Sequence, residues 1–212
     1  FFDPDVRIEE TLRALEDLVR AGKVRYVGCS NYPAWRLSEA LMAARELGIE
    51  GYVSIQPRYN LLYRDIETEL IPMCISQGLG VIVYNPIAGG LLSGKYTRDN
   101  PNPADSRYSA GDNPRLAERK TAAVWDVVEG LAPMARSKGC TMAQLALAWV
   151  ARRPGVTSPI IGPRTMEQLE DNLGSLAVRF TDEELARIDA LVPPGDGVSP
   201  FYEADFGPHV YR

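Results

Sequence analysis

Histidine is nearly absent from this chain: there is one, His209, in 212 residues. A lone ring gives no His pair at metal-ligand spacing and no strand-end base for a Ser-His-Asp arrangement; in its tail "FGPHVYR" it reads as a surface or packing residue. Cysteine is scarce too. Cys29, Cys74 and Cys140 lie far apart with no C-x-x-C, which reads as reduced thiols in a cytoplasmic protein. No apolar run approaches the ~20 residues that a membrane span needs, and no signal-peptide pattern is visible. Basic charge is in deficit, with Lys+Arg 23 against Asp+Glu 28 and a net charge of −5. That disfavours a nucleic acid or an anionic membrane as partner. The G-x-G-x-x-G of open dinucleotide-binding sheets is also missing. The sequence starts "FFDPDVRIEE", without Met and without a leading strand. What remains is ordinary globular composition, 45% hydrophobic and 24% charged, enough for one or two domains.

Helix and strand signals alternate along it. Ile8, Leu12, Leu15 and Val19 recur at helical spacing until Gly22, as an amphipathic helix requires. "KVRYVGCS" reads as a strand, "PAWRLSEALMAARELG" as a helix with Pro33 near its start and Gly48 at its end, and "GYVSIQP" as a second strand. "RDIETELIPMCISQG" reads as helical with a break at Pro72, and "GVIVYNP" as a third strand. A polar loop, Thr97 to Pro114, precedes two helices, about Arg115 to Lys138 and Thr141 to Arg153. "VTSPIIG" is the fourth strand, followed by helices from Thr165 and from about Thr181. From about Pro193 the tail reads as irregular. "TMAQ" at Thr141, "TMEQ" at Thr165 and "TDEE" at Thr181 are capping boxes: the Thr oxygen takes the fourth residue's N–H, and the Gln or Glu reaches back.

One stretch raises a phosphate loop. "GGLLSGK", Gly89 to Lys95, satisfies G-x-x-x-x-G-K. A triphosphatase loop needs Ser or Thr after the lysine, for Mg²⁺, and must open straight into a helix. Tyr96 follows instead, and the proline-broken "TRDNPNPADSRYSAGDNP" cannot start a helix there. The triphosphatase reading is therefore poor, and a glycine loop carrying a cation remains.

Four apolar strands, each followed by helix, argue for a parallel sheet covered by helices. An open doubly wound sheet competes with part of a (β/α)₈ barrel. A whole barrel has eight strands in ~250 residues; with four strands and no dinucleotide fingerprint, half a barrel is favoured. Polar residues gather at the strand C-termini: Ser30 and Asn31, Gln56, then Tyr84 and Asn85. Polar residues do begin loops, but in a barrel these ends share the rim that holds the active site. "PIIGPRTMEQ" adds Gly162, Arg164 and a capped helix start, a ready anion site. If these are strands five to eight, Lys95 and Arg164 lie on the two loops with which barrels often clamp phosphate.

"GKVRYVGCSN", "SIQPRYNLL", "YNPIAGGLLSGKY" and "PIIGPRTMEQLEDN" together resemble the aldo-keto reductases, in family order from Ile8 to about Leu191. The similarity is greatest to the bacterial group akin to potassium-channel β subunits and aflatoxin aldehyde reductases. It implies a (β/α)₈ TIM barrel of which residues 1–212 are the C-terminal half, about strands five to eight, binding extended NADP(H). By position it implies that Ser30, Asn31 and Gln56 hold the nicotinamide carboxamide and that Tyr84 stacks on the ring. Asn85, Pro86, Ile87, Ala88 and Gly89 would line the cofactor. Lys95 and Arg107 would approach the pyrophosphate or the adenosine phosphate. Gly162, Arg164 and Gln168 would take the 2′-phosphate end, and Asp171 and Asn172 the adenine. The plainer alternatives are a core tyrosine for Tyr84, a solvated charge for Arg107 and a surface helix face for Asp171.

The family's catalytic Asp, Tyr, Lys and His come from the first half of its barrel, and the resemblance puts none of them here. The expectation is a parent protein that reduces a small-molecule aldehyde or ketone with NADPH, this chain supplying the cofactor side. Its missing N-terminal half, or another copy, would close the barrel. The alternatives are an NADP(H)-sensing regulatory subunit like the channel β subunits, and an inactive truncated fragment; were the chain by itself to turn over an aldehyde, Tyr59 in "PRYN" would be the first candidate acid.

Overall fold

A computed structural model describes residue 3, residues 5–104, residue 106 and residues 120–199. Arg107 and His209 lie outside the described residues. The order is α1 (Ile8–Arg20), β1 (Val27–Ser30), α2 (Ala34–Leu47), β2 (Tyr52–Gln56), α3 (Leu70–Gln77), β3 (Gly80–Val83), α4 (Ala122–Ser137), α5 (Met142–Ala151), β4 (Ser158–Pro159), α6 (Met166–Gly174) and α7 (Asp182–Leu191). Short 3₁₀ turns occupy Asp65–Glu67, Ala88–Ser93 and Ser175–Ala177. The strands form one sheet in the order β1-β2-β3-β4, with every pair parallel. The chain is thus α/β, with a helix between successive strands, as a parallel sheet demands.

β1 and β2 come close at Gly28, beside an irregularity in their register. A Cβ there would lie 2.6 Å from Ser54 Oγ, so only glycine fits. β4 is shorter than "VTSPIIG" suggests, because Thr157 and Ile160 extend it by single bonds, N–H to Val81 O and Val83 O at 2.8 Å each. Thr157 Oγ1 also accepts the Val81 N–H at 3.0 Å.

Pro72 breaks nothing: it sits in the first turn of α3, where its N–H would have no intrahelical partner anyway. The interruption falls earlier, between the turn at Asp65–Glu67 and Leu70. α4 starts at Ala122, capped by Thr121 Oγ1 on the Val124 N–H at 3.3 Å. Residues 115–119 of the expected longer helix are outside the described set.

The core gathers Leu37, Ile55, Val81, Val83, Leu91, Leu131, Leu145 and Trp149 between the sheet and its helices. Removing a fully buried leucine from such packing costs about 2–5 kcal/mol. Residues 194–199 are irregular yet held. Gly197 bridges Tyr63, and the Val198 and Ser199 N–H groups donate to Leu62 O. Among the described residues no helix is long and apolar enough to cross a membrane.

Candidate cofactor site

All four strands point the same way, so their C-terminal ends share one edge of the sheet. Ser30 pairs with Gln56 in register, and Arg58 bridges Tyr84. Gln56 O receives two donors, Ser30 Oγ–H at 2.8 Å and the Asn31 N–H at 3.3 Å. Tyr84 reaches from the end of β3 past β2 and donates its hydroxyl to Asn31 Oδ1 at 3.1 Å. The ring therefore bridges two strand ends, with its hydroxyl fixed, and Tyr84 is only partly buried.

Backbone strain concentrates here. Among the described residues three non-glycines have positive φ: Asn31 (56°), Asn85 (61°) and Ala88 (53°). All three lie in the loops after β1 and β3. Such conformations cost of order 1–3 kcal/mol and persist where the surroundings enforce them. The enforcing contacts are visible. Asn85 O accepts from Ala88 N–H at 2.9 Å and from Asn60 Nδ2 at 3.1 Å. Asn85 Oδ1 accepts the Gly89 N–H, and Asn60 Oδ1 holds the Leu62 N–H at 2.9 Å. Asn60 is fully buried; sequence reasoning missed it, although it stands in "PRYN" directly after β2. Pro86 and Ala88 are buried, while Ile87 and Gly89 are partly open.

The glycine loop continues through Gly90 (φ 106°) to Gly94 (φ 83°). Lys95 is exposed, its ammonium 5.3 Å from the centroid of the Tyr96 ring. Across the site Gly162 and Arg164 are exposed, and a Cβ at Gly162 would meet nothing within 4 Å. Thr165 caps α6 by accepting the Gln168 N–H at 3.2 Å. The reciprocal arm differs from the sequence expectation. Gln168 Oε1 takes the Arg164 N–H at 2.8 Å, one residue earlier than a capping box would. At Thr141 and Thr181 both arms are present as expected.

The two cation-bearing turns are not strangers. α5 starts against the first, its Met142 beside Gly94. It also grips α6, where Thr141 and Gln144 bind Asp171. Asn172 is partly exposed next to it. Lys95 and Arg164 enter no ion pair among the described residues, in contrast to Arg64 and Arg98. This donor set fits a dinucleotide: amide-binding oxygens at strand ends, a flat aromatic, then two open turns with cations.

Tyr59 is corrected by the structure. It is fully buried and donates to Glu67 Oε1 at 2.5 Å. Burial, then the Glu67 carboxylate, pushes its hydroxyl well above the usual tyrosine range. It is a core group and faces no rim. Among the described residues no cluster of His, Cys, Asp or Glu could hold a metal.

Residues 1–193 match the aldo/keto reductase family. The chain belongs to the aldo/keto reductase family. It is 35% identical over 192 residues to an uncharacterized oxidoreductase of Bacillus subtilis, covering 91% of this chain and 56% of that protein. It is 37% identical over 196 residues to a probable voltage-gated potassium channel subunit beta of Oryza sativa, covering 90% of this chain and 59% of that one. Norsolorinic acid reductase B of Dothistroma septosporum is 30% identical over 214 residues, covering 100% of this chain and 50% of the reductase. The aldo/keto reductase chain thus spans little more than half the length of these relatives. Oxidoreductase chemistry is the family's common ground.

Proposed function

We propose that the whole protein reduces an aldehyde or ketone to an alcohol with NADPH, and that this chain forms the cofactor-holding side of its (β/α)₈ barrel. The observation that carries the reading is the strained rim, where Asn31, Asn85 and Ala88 hold left-handed backbone at the strand ends, a pattern found at ligand clamps. Ser30, Asn31 and Gln56 would receive the carboxamide, and Tyr84 would give the nicotinamide a flat face. Asn85 through Gly89 would line the ribose side. Lys95, with Arg107, would meet the bridging phosphates. Gly162, Arg164 and Gln168 would meet the 2′-phosphate, and Asn172 the adenine edge. Bound NADPH would supply a hydride to the carbonyl carbon. The matching proton would have to come from a residue beyond this set, since the Tyr84 hydroxyl at the rim is given to Asn31 Oδ1 and its ring to the nicotinamide.

In this reading β1–β4 are strands five to eight. Their order along the sheet follows their order in sequence, with both outer edges open. α6 has no buried residue; Met166 and Leu173 are exposed on it and Leu176 in the turn that follows, the kind of apolar surface that needs cover. Expressed by itself, the 212-residue segment should aggregate or pair its edges with another copy, and should turn over no carbonyl. A monomer that unfolds cooperatively would count against the half-barrel. The cofactor reading is tested by titrating the full-length protein with NADPH and NADH. Arg164→Ala should weaken NADPH by at least ~10-fold and NADH little, since charge-assisted bonds to phosphate carry that weight. Equal weakening of both would remove Arg164 from the 2′-phosphate.

The second reading is an NADP(H)-sensing regulatory subunit, favoured by the similarity to the rice protein named as a channel subunit. It shares the cofactor site but predicts tight binding with negligible carbonyl turnover.

A further inference from the structure

Asn60 has no exposed surface, so it can touch no ligand, yet its side chain is bonded to a strained turn of the rim. The pairing of β2 with β3 runs past the ends of both strands. The Tyr84 N–H donates to Pro57 O at 3.0 Å, and the Tyr59 N–H to Tyr84 O at 3.3 Å. The next donor along that parallel ladder would be residue 86, a proline, which has no N–H to give. The ladder stops there and a side chain takes over: Asn60 Nδ2 donates to Asn85 O at 3.1 Å. The position before a proline favours extended backbone, but Asn85 holds φ 61°. The same carbonyl receives the Ala88 N–H at 2.9 Å, and Asn85 Oδ1 the Gly89 N–H. One buried amide thus meets the carbonyl on which the turn into the glycine loop is built.

Asn60 is itself held on its other side. Its backbone exchanges two bonds with Tyr63, at 3.2 and 3.0 Å, and its Oδ1 accepts the Leu62 N–H at 2.9 Å. Leu62 O in turn accepts the Val198 and Ser199 N–H groups at 3.0 and 3.1 Å. Only one orientation of the amide serves both a carbonyl and an N–H, so its nitrogen is fixed toward Asn85. We infer that Asn60 is a positioning residue: through Asn85 O it holds the left-handed turn that presents the Asn85–Gly89 loop to the nicotinamide half of the cofactor. The ligand half of this inference rests on the cofactor reading above; the holding of the turn does not. A loop already in its binding conformation loses less freedom when the ligand arrives. Releasing the turn should therefore penalise a ligand that reaches this loop and spare one that reaches only the Arg164 turn.

The test uses the full-length protein. Asn60→Ser removes the amide, and Asn85→Gly removes the strain that it restrains, since glycine takes positive φ at no steric cost. Without ligand, Asn60→Ser should speed hydrogen exchange at the Ala88 and Gly89 N–H groups by at least ~10-fold, with the α4 and α5 amides unchanged, as a local opening does. It should weaken NADPH ~10-fold, the effect of one lost buried bond. Adenosine 2′-monophosphate, which lacks the nicotinamide half, should stay within ~2-fold, because it gains nothing from the preformed loop. Made in Asn85→Gly protein, the same substitution should weaken NADPH by less than ~3-fold, as residues acting through one contact are coupled. Unchanged exchange at Ala88 and Gly89 would mean that the turn holds itself, and the inference fails. It fails as well if both probes weaken equally, or if the loss is undiminished in Asn85→Gly protein. Asn60→Asp keeps the acceptor for the Leu62 N–H and is read in the same way if Asn60→Ser does not fold; failure of both to fold would make Asn60 part of the framework and overturn its assignment. Faster exchange in a protein that binds no NADPH even as wild type would support the anchor and overturn the cofactor reading instead.

Discussion

Two arginines make the instructive contrast. Arg64 follows β2 and has no exposed surface. Its guanidinium donates twice to Glu67, at 2.9 Å each, and also to Asp189 Oδ1 at 2.7 Å and Val192 O at 2.5 Å. It lies 5.0 Å from the Trp149 ring centroid, which Arg153 also approaches at 5.1 Å. Arg164 follows β4, is exposed, and among the described residues spends only its backbone N–H, on Gln168. One fork spends four of its five N–H groups inside the protein, and the other is available to a ligand. Residue type says nothing of this difference; what the fork faces says everything.

The largest expected effect sits on the buried side. Arg64→Ala takes the cation from Asp189 and leaves Glu67 with Arg153 alone, at 3.6 Å, and should cost about 3 kcal/mol in urea unfolding, the lower end for broken buried pairs. The folded fraction should keep its NADPH affinity. A stable variant with lost affinity would move Arg64 from framework to site. Arg164→Ala is the mirror experiment: stability within ~0.5 kcal/mol, as for exposed positions, with cofactor affinity lost. A large stability loss would erase the contrast.

Tyr59→Phe sharpens the same boundary. It removes one hydrogen bond to Glu67 and should cost about 1 kcal/mol. Carbonyl turnover by the full-length protein should stay unchanged. A fall in turnover would return Tyr59 to the chemistry.

What the sequence disclosed follows the same division. The rim was legible because apolar strands end abruptly in Ser30, Gln56, Tyr84 and Asn85, and because glycines mark its loops. Two capping boxes were legible because their arms lie three residues apart. The Arg64 network was hidden: Glu67 is three residues away, but Asp189 is 125. Nothing in "LLYRD" announces a partner on the last described helix. The partners of Asp171 were hidden for a related reason: Thr141 and Gln144 become its neighbours only when α5 and α6 pack. Gln168 shows the smallest slip, an arm that reaches one residue farther than the pattern.

The smallest effect is a pH limb. Burial lifts the Cys29 thiol from its ordinary 9.0 to about 12 and Cys74 to about 11. The folded state then holds protons that the unfolded state releases, so stability should fall as pH rises above about 9 through these values. Both thiols should react slowly with alkylating reagents at pH 8. Cys29→Ala should flatten the alkaline limb; an unchanged limb would assign it to other groups.

The reach from Arg64 to Asp189 also bears on how the chain is made. Synthesis runs from the N-terminus, whereas a domain folds as a unit once its parts have emerged. Arg64 and Glu67 can meet at once, but Asp189 and Val192 arrive more than a hundred residues later. Until α7 leaves the ribosome, a nascent sheet must either keep Arg64 hydrated or bury it half-partnered. Contacts so distant in sequence form slowly. The last described helix therefore acts as a closing latch, and a ribosome stalled before Asp189 would carry a chain with its charge exposed and its core unsealed.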